Sequence, residues 1–346
     1  MEILLQIILL IVGFVLLIKG ADVFVDGSSG VATRFGMPKI LIGLTIVAFG
    51  TSAPEFAVSV KSLLAGTGDM MLGNVVGSNI LNVLLILGAA SLIRPLPVKN
   101  STLKKEIPIM ILLTVMLAIL MCDVLLQAGD HNSFTRQDGA VLVVAFSIFM
   151  YYLIATTRRR IRKNKEEAAE KKEESKVLEA ETESTKEDSE DKPPMKLWKA
   201  VLFVVIGIAG IIIGSNCVVD SASKIASIIG ISDAIIALTV VALGTSLPEL
   251  VTSIIAARKN ECDIAIGNVV GSNIFNIGIV AGVPVFAIGG ISSFSFSYID
   301  AAVMLLSTVL LFFFTWKDRR IGRKEGAIFL AIFIAYYSYV IINGLN

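Results

Sequence analysis

A single histidine, His131, sits in a polar stretch between apolar runs, so the chain has no histidine pair for catalysis or for a buried metal. The three cysteines, Cys122, Cys217 and Cys262, lie far apart and form no C-x-x-C or other ligand spacing, which leaves them as packing residues. Charge is scarce inside the long apolar runs, and the net charge of +1 gives no basic excess for nucleic acid. No basic segment precedes the first apolar run, so that run is expected to stay in the protein as a helix rather than be removed as a signal peptide. With no targeting presequence, a prokaryotic plasma membrane is the expected location.

What the sequence has instead is apolar length. Hydrophobic residues make up 55% of the chain and mean hydropathy is +0.80, more than a soluble core needs. Runs such as Ile3 to Ile18, Ile109 to Met121, Ala140 to Ala155 and Leu197 to Ile213 approach or reach the length that crosses a bilayer as helix. The expectation is an all-α integral membrane protein with ten spans, near residues 3–20, 39–63, 70–92, 106–125, 138–157, 197–218, 233–256, 264–289, 297–315 and 326–343. Lys and Arg alternate between rich and poor loops on that count. The rich loops hold Arg34 and Lys39, then Arg94 to Lys105, the block from Arg158, Arg258 and Lys259, and Lys317 to Lys324; the poor ones hold Lys61, Arg136 and Lys224. Both termini are therefore expected outside and the central segment in the cytoplasm.

Residues 158–195 change character, from RRRIRKNK to ETESTKEDSEDKPP, and read as a charged, partly helical tether between halves 1–157 and 196–346. A sharper alternative is a regulatory strip whose acidic end senses cations and whose basic start touches anionic lipid.

The halves are copies. AFGTSAPEF (48–56) returns as ALGTSLPEL (242–250), and GNVVGSNI (73–80) returns unchanged at 267–274; Glu249 follows Glu55, and Gly267 follows Gly73, by the same 194 positions. Each half has five expected spans. An odd number makes the second copy enter the membrane upside down, the inverted-repeat plan of secondary transporters.

The repeats carry the chemistry. Glu55 and Glu249 fall deep in the second and seventh spans, where an ionised carboxylate costs about 2.5 to 3.5 kcal/mol or more unless it faces a cavity or a cation. Pro54 and Pro248 precede them, remove a backbone donor and displace the carbonyl four residues back, at Gly50 and Gly244. The opened turn frees carbonyls around Gly50 and Thr51, and around Gly244 and Thr245, beside a carboxylate. The stripe Asn74, Ser78, Asn82 and its copy Asn268, Ser272, Asn276 put neutral oxygens on one helix face, while Asn79 and Asn273, off the stripe, are expected to bond exposed backbone of the broken spans. Gly73 and Gly77, with Gly267 and Gly271, have the four-residue spacing of closely packed transmembrane helices. Folding the inverted halves together would bring both glutamates to one midplane site with these carbonyls, Ser52, Ser246, Asn82 and Asn276. Two carboxylates among carbonyl and hydroxyl oxygens suit Ca2+ better than Mg2+, which demands a tight octahedron, or a soft transition metal.

G-T-S-x-P-E followed by G-N-V-V-G-S-N-I, twice, resembles the alpha repeats of the sodium/calcium exchanger family within the cation/calcium antiporters. The resemblance implies ten helices, Ca2+ held by Glu55 and Glu249 with the Thr51 and Thr245 carbonyls, and Na+ sites that also use Ser52, Ser246, Ser78 and Ser272. It implies alternating access by sliding of the first and sixth helices, with Ca2+ and Na+ as the transported ions and no cofactor. About three Na+ per Ca2+, as the resemblance implies, would move one net charge inward per cycle, worth about 2.3 kcal/mol per 100 mV. Some members carry aspartate where Asn276 stands; here Asn82 and Asn276 are both neutral, which speaks against K+ cotransport. A monomer in the bilayer is the working expectation. Two readings stay open beside it. A Ca2+/H+ antiporter would use the same carboxylates, and a membrane enzyme acting on a lipid phosphate would need cationic clamps that neither repeat carries near its glutamate.

Overall fold

The computed structural model describes residues 2–126, 129–179, 195–231, 240, 242–294 and 297–344. In chain order its helices are α1 (Glu2–Phe35), α2 (Lys39–Ile42), α3 (Ala48–Thr51), α4 (Ala53–Leu64), α5 (Gly68–Leu81), α6 (Gly88–Ile93), α7 (Ile107–Leu120), α8 (Arg136–Glu179), α9 (Leu197–Ile228), α10 (Ala242–Thr245), α11 (Leu247–Arg258), α12 (Cys262–Phe275), α13 (Gly282–Ala287), α14 (Tyr298–Asp318) and α15 (Arg323–Gly344). Wider π-helical turns join α2 to α3 (Gly43–Val47), α5 to α6 (Asn82–Leu87) and α12 to α13 (Asn276–Ala281), and another precedes α7 (Thr102–Glu106).

Among the described residues seven helices are long and apolar enough to cross a membrane, or eight if the bent pair Lys39–Thr51 and Ala53–Leu64, which turns by 46°, is one span. This is an all-α membrane protein. The expected seventh span, 233–256, falls partly on residues outside those described. At the expected first, fifth and sixth spans the helix continues past the apolar stretch: α1 runs to Phe35, α8 goes on into the linker as far as Glu179, and α9 reaches Ile228. Helical hydrogen bonding does not stop where hydrophobicity stops, so a hydropathy count marks the membrane and not the helix end.

The repeat extends to the backbone. Gly36 and Gly230, 194 positions apart, both turn with positive φ (62° and 87°), and so do Gly66 (74°) and its counterpart Asn260 (64°), a residue type that tolerates the left-handed region. The helices of the two GNVVGSNI segments are central: 72% of the apolar window of Gly68–Ile93 and 83% of that of Cys262–Ala287 is buried, against 22% for α1 and 11% for α15. The main apolar cluster lies around them, and a smaller one, with Leu17, Phe24, Val204 and Ile211, joins α1 to α9.

α1 and α9 pack antiparallel along their length. Gly13 meets Val218, Gly20 meets Ile211, and Gly27 meets Val204. A Cβ on Gly20 would stand 2.7 Å from the Ile211 amide nitrogen, and one on Gly214 2.5 Å from that of Leu17, so any side chain there would push the helices apart. The glycine spacing read in GNVVGSNI acts the same way in the second half, where Gly267 lies against Ile40 and Gly43, and Gly271 against Leu44 and Ala48. Gly73 and Gly77 have no described atom within that reach; the copies of Ile40 and Gly43 are residues 234 and 237, outside those described.

Short clasps tie loops of the two halves together. Leu96–Pro97 pairs antiparallel with Arg320–Ile321, and Phe134 exchanges backbone bonds of 2.8 and 2.7 Å with Ile291. Cys122, Cys217 and Cys262 are all free thiols, and the first and third are buried, in keeping with packing roles.

Candidate cation site

Both broken helices break at the same residue. Ser52 (φ −85°, ψ 9°) separates α3 from α4, and Ser246 (φ −89°, ψ 6°) separates α10 from α11. The proline takes the second position of each new helix, where an amide hydrogen is not required, and the glutamate the third. The amide that would complete the helix at the Gly50 or Gly244 carbonyl belongs to Pro54 or Pro248 and has no hydrogen to give. In the second half the Ser215 hydroxyl, from α9, caps that carbonyl at 3.1 Å; the residue 194 positions earlier is Ala21, which cannot.

The glutamates meet across the halves. Each is about 1% exposed, and each bonds to the break serine of the other repeat: the Ser52 hydroxyl donates to Glu249 Oε1 at 2.9 Å, and the Ser246 hydroxyl to Glu55 Oε1 at 3.1 Å. Ser246 Oγ also stands 3.3 Å from Ser78 Oγ, and Ser272 is fully buried on the matching face. The second oxygen of each carboxylate, Glu55 Oε2 and Glu249 Oε2, is buried without a hydrogen-bond partner, and so are Asn82 Oδ1 and Asn276 Oδ1. Each asparagine opens a π-helical turn, and the turns cross over: that of Asn82 packs on α11, which carries Glu249, and that of Asn276 on α4, which carries Glu55. Unpaired buried oxygens are costly in a low dielectric unless something positive meets them. Among the described residues no three His, Cys, Asp or Glu side chains converge. The donors are two carboxylates completed by neutral oxygens, a set that suits a hard cation.

The amide nitrogens at the head of the stripe hold the broken helices: Asn74 Nδ2 donates to the Glu55 carbonyl (3.1 Å) and Ser59 Oγ, and Asn268 Nδ2 to the Glu249 carbonyl (3.3 Å) and Ser253 Oγ. Asn268 Oδ1 accepts from the Thr51 hydroxyl at 3.0 Å, which anchors the first break to the second half. One expectation needs correction: among the described residues Asn79 and Asn273 do not bond the broken spans. The two GNVVGSNI helices cross where these residues lie, so Asn82 Nδ2 meets Asn273 Oδ1 (2.9 Å), Asn276 Nδ2 meets Asn79 Oδ1 (3.2 Å), and Asn273 Nδ2 meets the Asn79 carbonyl (3.3 Å).

A family model for the sodium/calcium exchanger protein matches residues 5–155 and 199–342. The chain belongs to the sodium/calcium exchanger family. It is similar to the inner membrane protein YrbG of Escherichia coli (strain K12), 35% identical over 95% of this chain and 94% of that one, and to the sodium/calcium exchanger MaX1 of Methanosarcina acetivorans, 31% identical over 95% and 96%. Its fold matches that of the sodium-calcium exchanger NCX_Mj, in crystals soaked with Na+ and Ca2+, with a TM-score of 0.77, 30% identity and 98% of both chains covered.

In this exchanger the structure pairs Ser52 with Glu249 and joins Glu55, Ser246 and Ser78 in a second hydrogen-bonded set, with Asn82 and Asn276 on π-helical turns that pack on the helices of the two glutamates. Thr51 and Thr245 end the short helices just before the breaks. The family is one of transporters, so its carboxylates need no substrate chemistry. The crosswise serine bonds, the Ser215 cap and the π-helical turns were not legible as spacing. The turns come from apolar segments with no local signature, and the crosswise bonds follow only once the halves are set against each other.

Proposed function

We propose that the protein is a secondary active antiporter exchanging Na+ for Ca2+ across the plasma membrane by alternating access, through ten spans built as two inverted five-helix repeats, 1–157 and 196–346, joined by a cytoplasmic linker at 158–195. The observation that carries this reading is the set of four buried, unpartnered oxygens, Glu55 Oε2 and Asn82 Oδ1 from one half and Glu249 Oε2 and Asn276 Oδ1 from the other. Their two charges match one divalent cation, or two monovalent ones beside the serine hydroxyls and the carbonyls freed at the breaks. The antiparallel α1 and α9, each the first helix of its half, support the inversion, as does the fold match to NCX_Mj, and the likeness to the sodium/calcium exchanger MaX1 supports the choice of ions.

The Ca2+ ligands are Glu55, Glu249 and the Thr51 and Thr245 carbonyls, and Ser52, Ser246, Ser78 and Ser272 serve Na+. With more than two Na+ per Ca2+ the cycle is electrogenic, and an inside-negative potential drives Ca2+ out. The deciding experiment is 45Ca2+ uptake into proteoliposomes loaded with Na+, with K+, or with an imposed pH gradient, under clamped voltage. Uptake that requires internal Na+ and responds to voltage is the expected result. Uptake that follows only the pH gradient would move the same glutamates to Ca2+/H+ exchange.

A further inference from the structure

The Asn82 and Asn276 amides could face a cation with either end, and only the oxygen end would bind it; the NH2 end carries the wrong sign. What fixes the Asn82 amide can be followed bond by bond. The Asn79 backbone carbonyl can only accept, so the group 3.3 Å from it must be the NH2 of Asn273. That leaves Asn273 Oδ1 at the other end of the amide, able only to accept, and the Asn82 atom 2.9 Å from it must in turn be the NH2. Asn82 Oδ1 is then the end left over, buried and without a partner. Asn273, Asn79 and Asn82 are each about 1% exposed or less, so water has little room to compete for these bonds.

We propose that Asn273 is a positioning residue, which holds the Asn82 amide oxygen toward the transported cation through a relay anchored at the Asn79 carbonyl. The inference rests on the cation-site reading above, in which Asn82 is a ligand. The matching relay in the other half is weaker. Asn276 Nδ2 donates to Asn79 Oδ1 at 3.2 Å, but Asn79 Nδ2 has no hydrogen-bond partner among the described residues, so that amide lacks the backbone anchor. The two neutral ligands are therefore oriented with unequal rigidity, Asn82 more than Asn276. A preoriented ligand strengthens binding because the cation need not spend interaction energy on turning it.

The test is a double-mutant cycle read as half-saturating Ca2+ in Na+-driven 45Ca2+ uptake. Asn273→Leu keeps the shape and removes the relay, and should raise half-saturating Ca2+ roughly fivefold to tenfold with a smaller change in maximal rate. In an Asn82→Asp background a carboxylate presents an oxygen whichever way it turns, so there Asn273→Leu should change half-saturating Ca2+ less than about twofold. An equal rise in both backgrounds would mean that Asn273 only supports packing, and would overturn the proposal. No rise in either, while Asn82→Leu alone impairs uptake, would overturn it too and leave the site standing. Normal Ca2+ uptake by Asn82→Leu would overturn the ligand reading on which the proposal rests. Asn273→Ala takes the place of Asn273→Leu in both backgrounds should the latter not elute as folded protein in detergent.

Discussion

The two halves share the G-T-S-x-P-E break at each glutamate, but they differ at the loops beyond it. On one face of the protein, Lys259 Nζ pairs with Asp22 Oδ1 (2.8 Å) and Asp26 Oδ1 (2.7 Å) and donates to the Asp22 carbonyl (2.8 Å). Beside it Lys39 pairs with Glu261 at 2.6 Å, Ser29 donates to the same carboxylate, and Lys99 pairs with Asp263. These bonds tie the C-terminal part of α1 and the loop after α6 to the turn between α11 and α12. On the opposite face the repeat puts Ala65 where Lys259 stands, Thr67 for Glu261, Asn216 for Asp22 and Ser293 for Lys99. Two inverted copies of one module would give inward-open and outward-open states of equal energy. Ion pairs that each lack at least one matching partner on the other face would break that equality and favour the state in which the paired face is closed.

The largest effects should respect the symmetry of the site. Glu55→Gln and Glu249→Gln each leave a single carboxylate for a divalent cation, and each should lower Ca2+ uptake at least about a hundredfold while leaving a monodisperse protein. Substantial exchange in either variant would mean that the two halves do not share one site.

A smaller effect should reveal the asymmetry of the faces. The three residues of the Lys259 cluster are partly exposed, so each pair contributes at most about 1 kcal/mol, and Lys259→Ala should shift the balance between access states by roughly twofold to tenfold. Faster hydrogen exchange over residues 20–35 would report it, with Lys61→Ala on the other face leaving exchange unchanged; equal responses would break the comparison. Burial alone would lower the Lys259 pKa, but its hydrogen bonds to Asp22 and Asp26 outweigh that and hold it above its ordinary value. A raised cation stabilises fully below its unfolded pKa and loses that contribution only as pH climbs through the folded one. The latch should therefore hold across about pH 6 to 9.

How much of this could be read in advance depends on whether the signal is local. Glu55 behind Pro54 and Glu249 behind Pro248 announce a broken, charged span within six residues, and the 194-residue offset announces the partner half. For Asn74 and Asn268, helical spacing gives the face of the residue but not what its amide nitrogen reaches, here the Glu55 and Glu249 carbonyls. The same limit applies to Asn79 and Asn273, whose partners lie some 190 residues away and come near only because two central helices cross. Lys259 looked like a topogenic charge, and nothing near it in sequence points to Asp22 or Asp26.

A finer asymmetry lies at the breaks, where Ser215 caps the Gly244 carbonyl while the matching position, Ala21, has no hydroxyl to offer Gly50. A donated hydrogen bond draws negative charge from a carbonyl oxygen and so weakens it as a cation ligand. Ser215→Ala should then lower half-saturating Ca2+, and Ala21→Ser should raise it, each by roughly twofold to threefold, within the net worth of one hydrogen bond. Shifts in the same direction would mean that the cap positions the break rather than tunes its oxygen.

The smallest effect is expected from the segment that has no copy in either repeat. Deleting residues 166–190 removes most of the charged linker but leaves roughly a dozen residues, which can extend over about 40 Å. If the linker is a tether, uptake in the deletion variant should stay within about twofold of the full chain, since loop length enters the closure entropy only logarithmically. A larger loss at saturating Na+ and Ca2+ would give the linker a regulatory part. It would also add a second asymmetry to the ion pairs at Lys259.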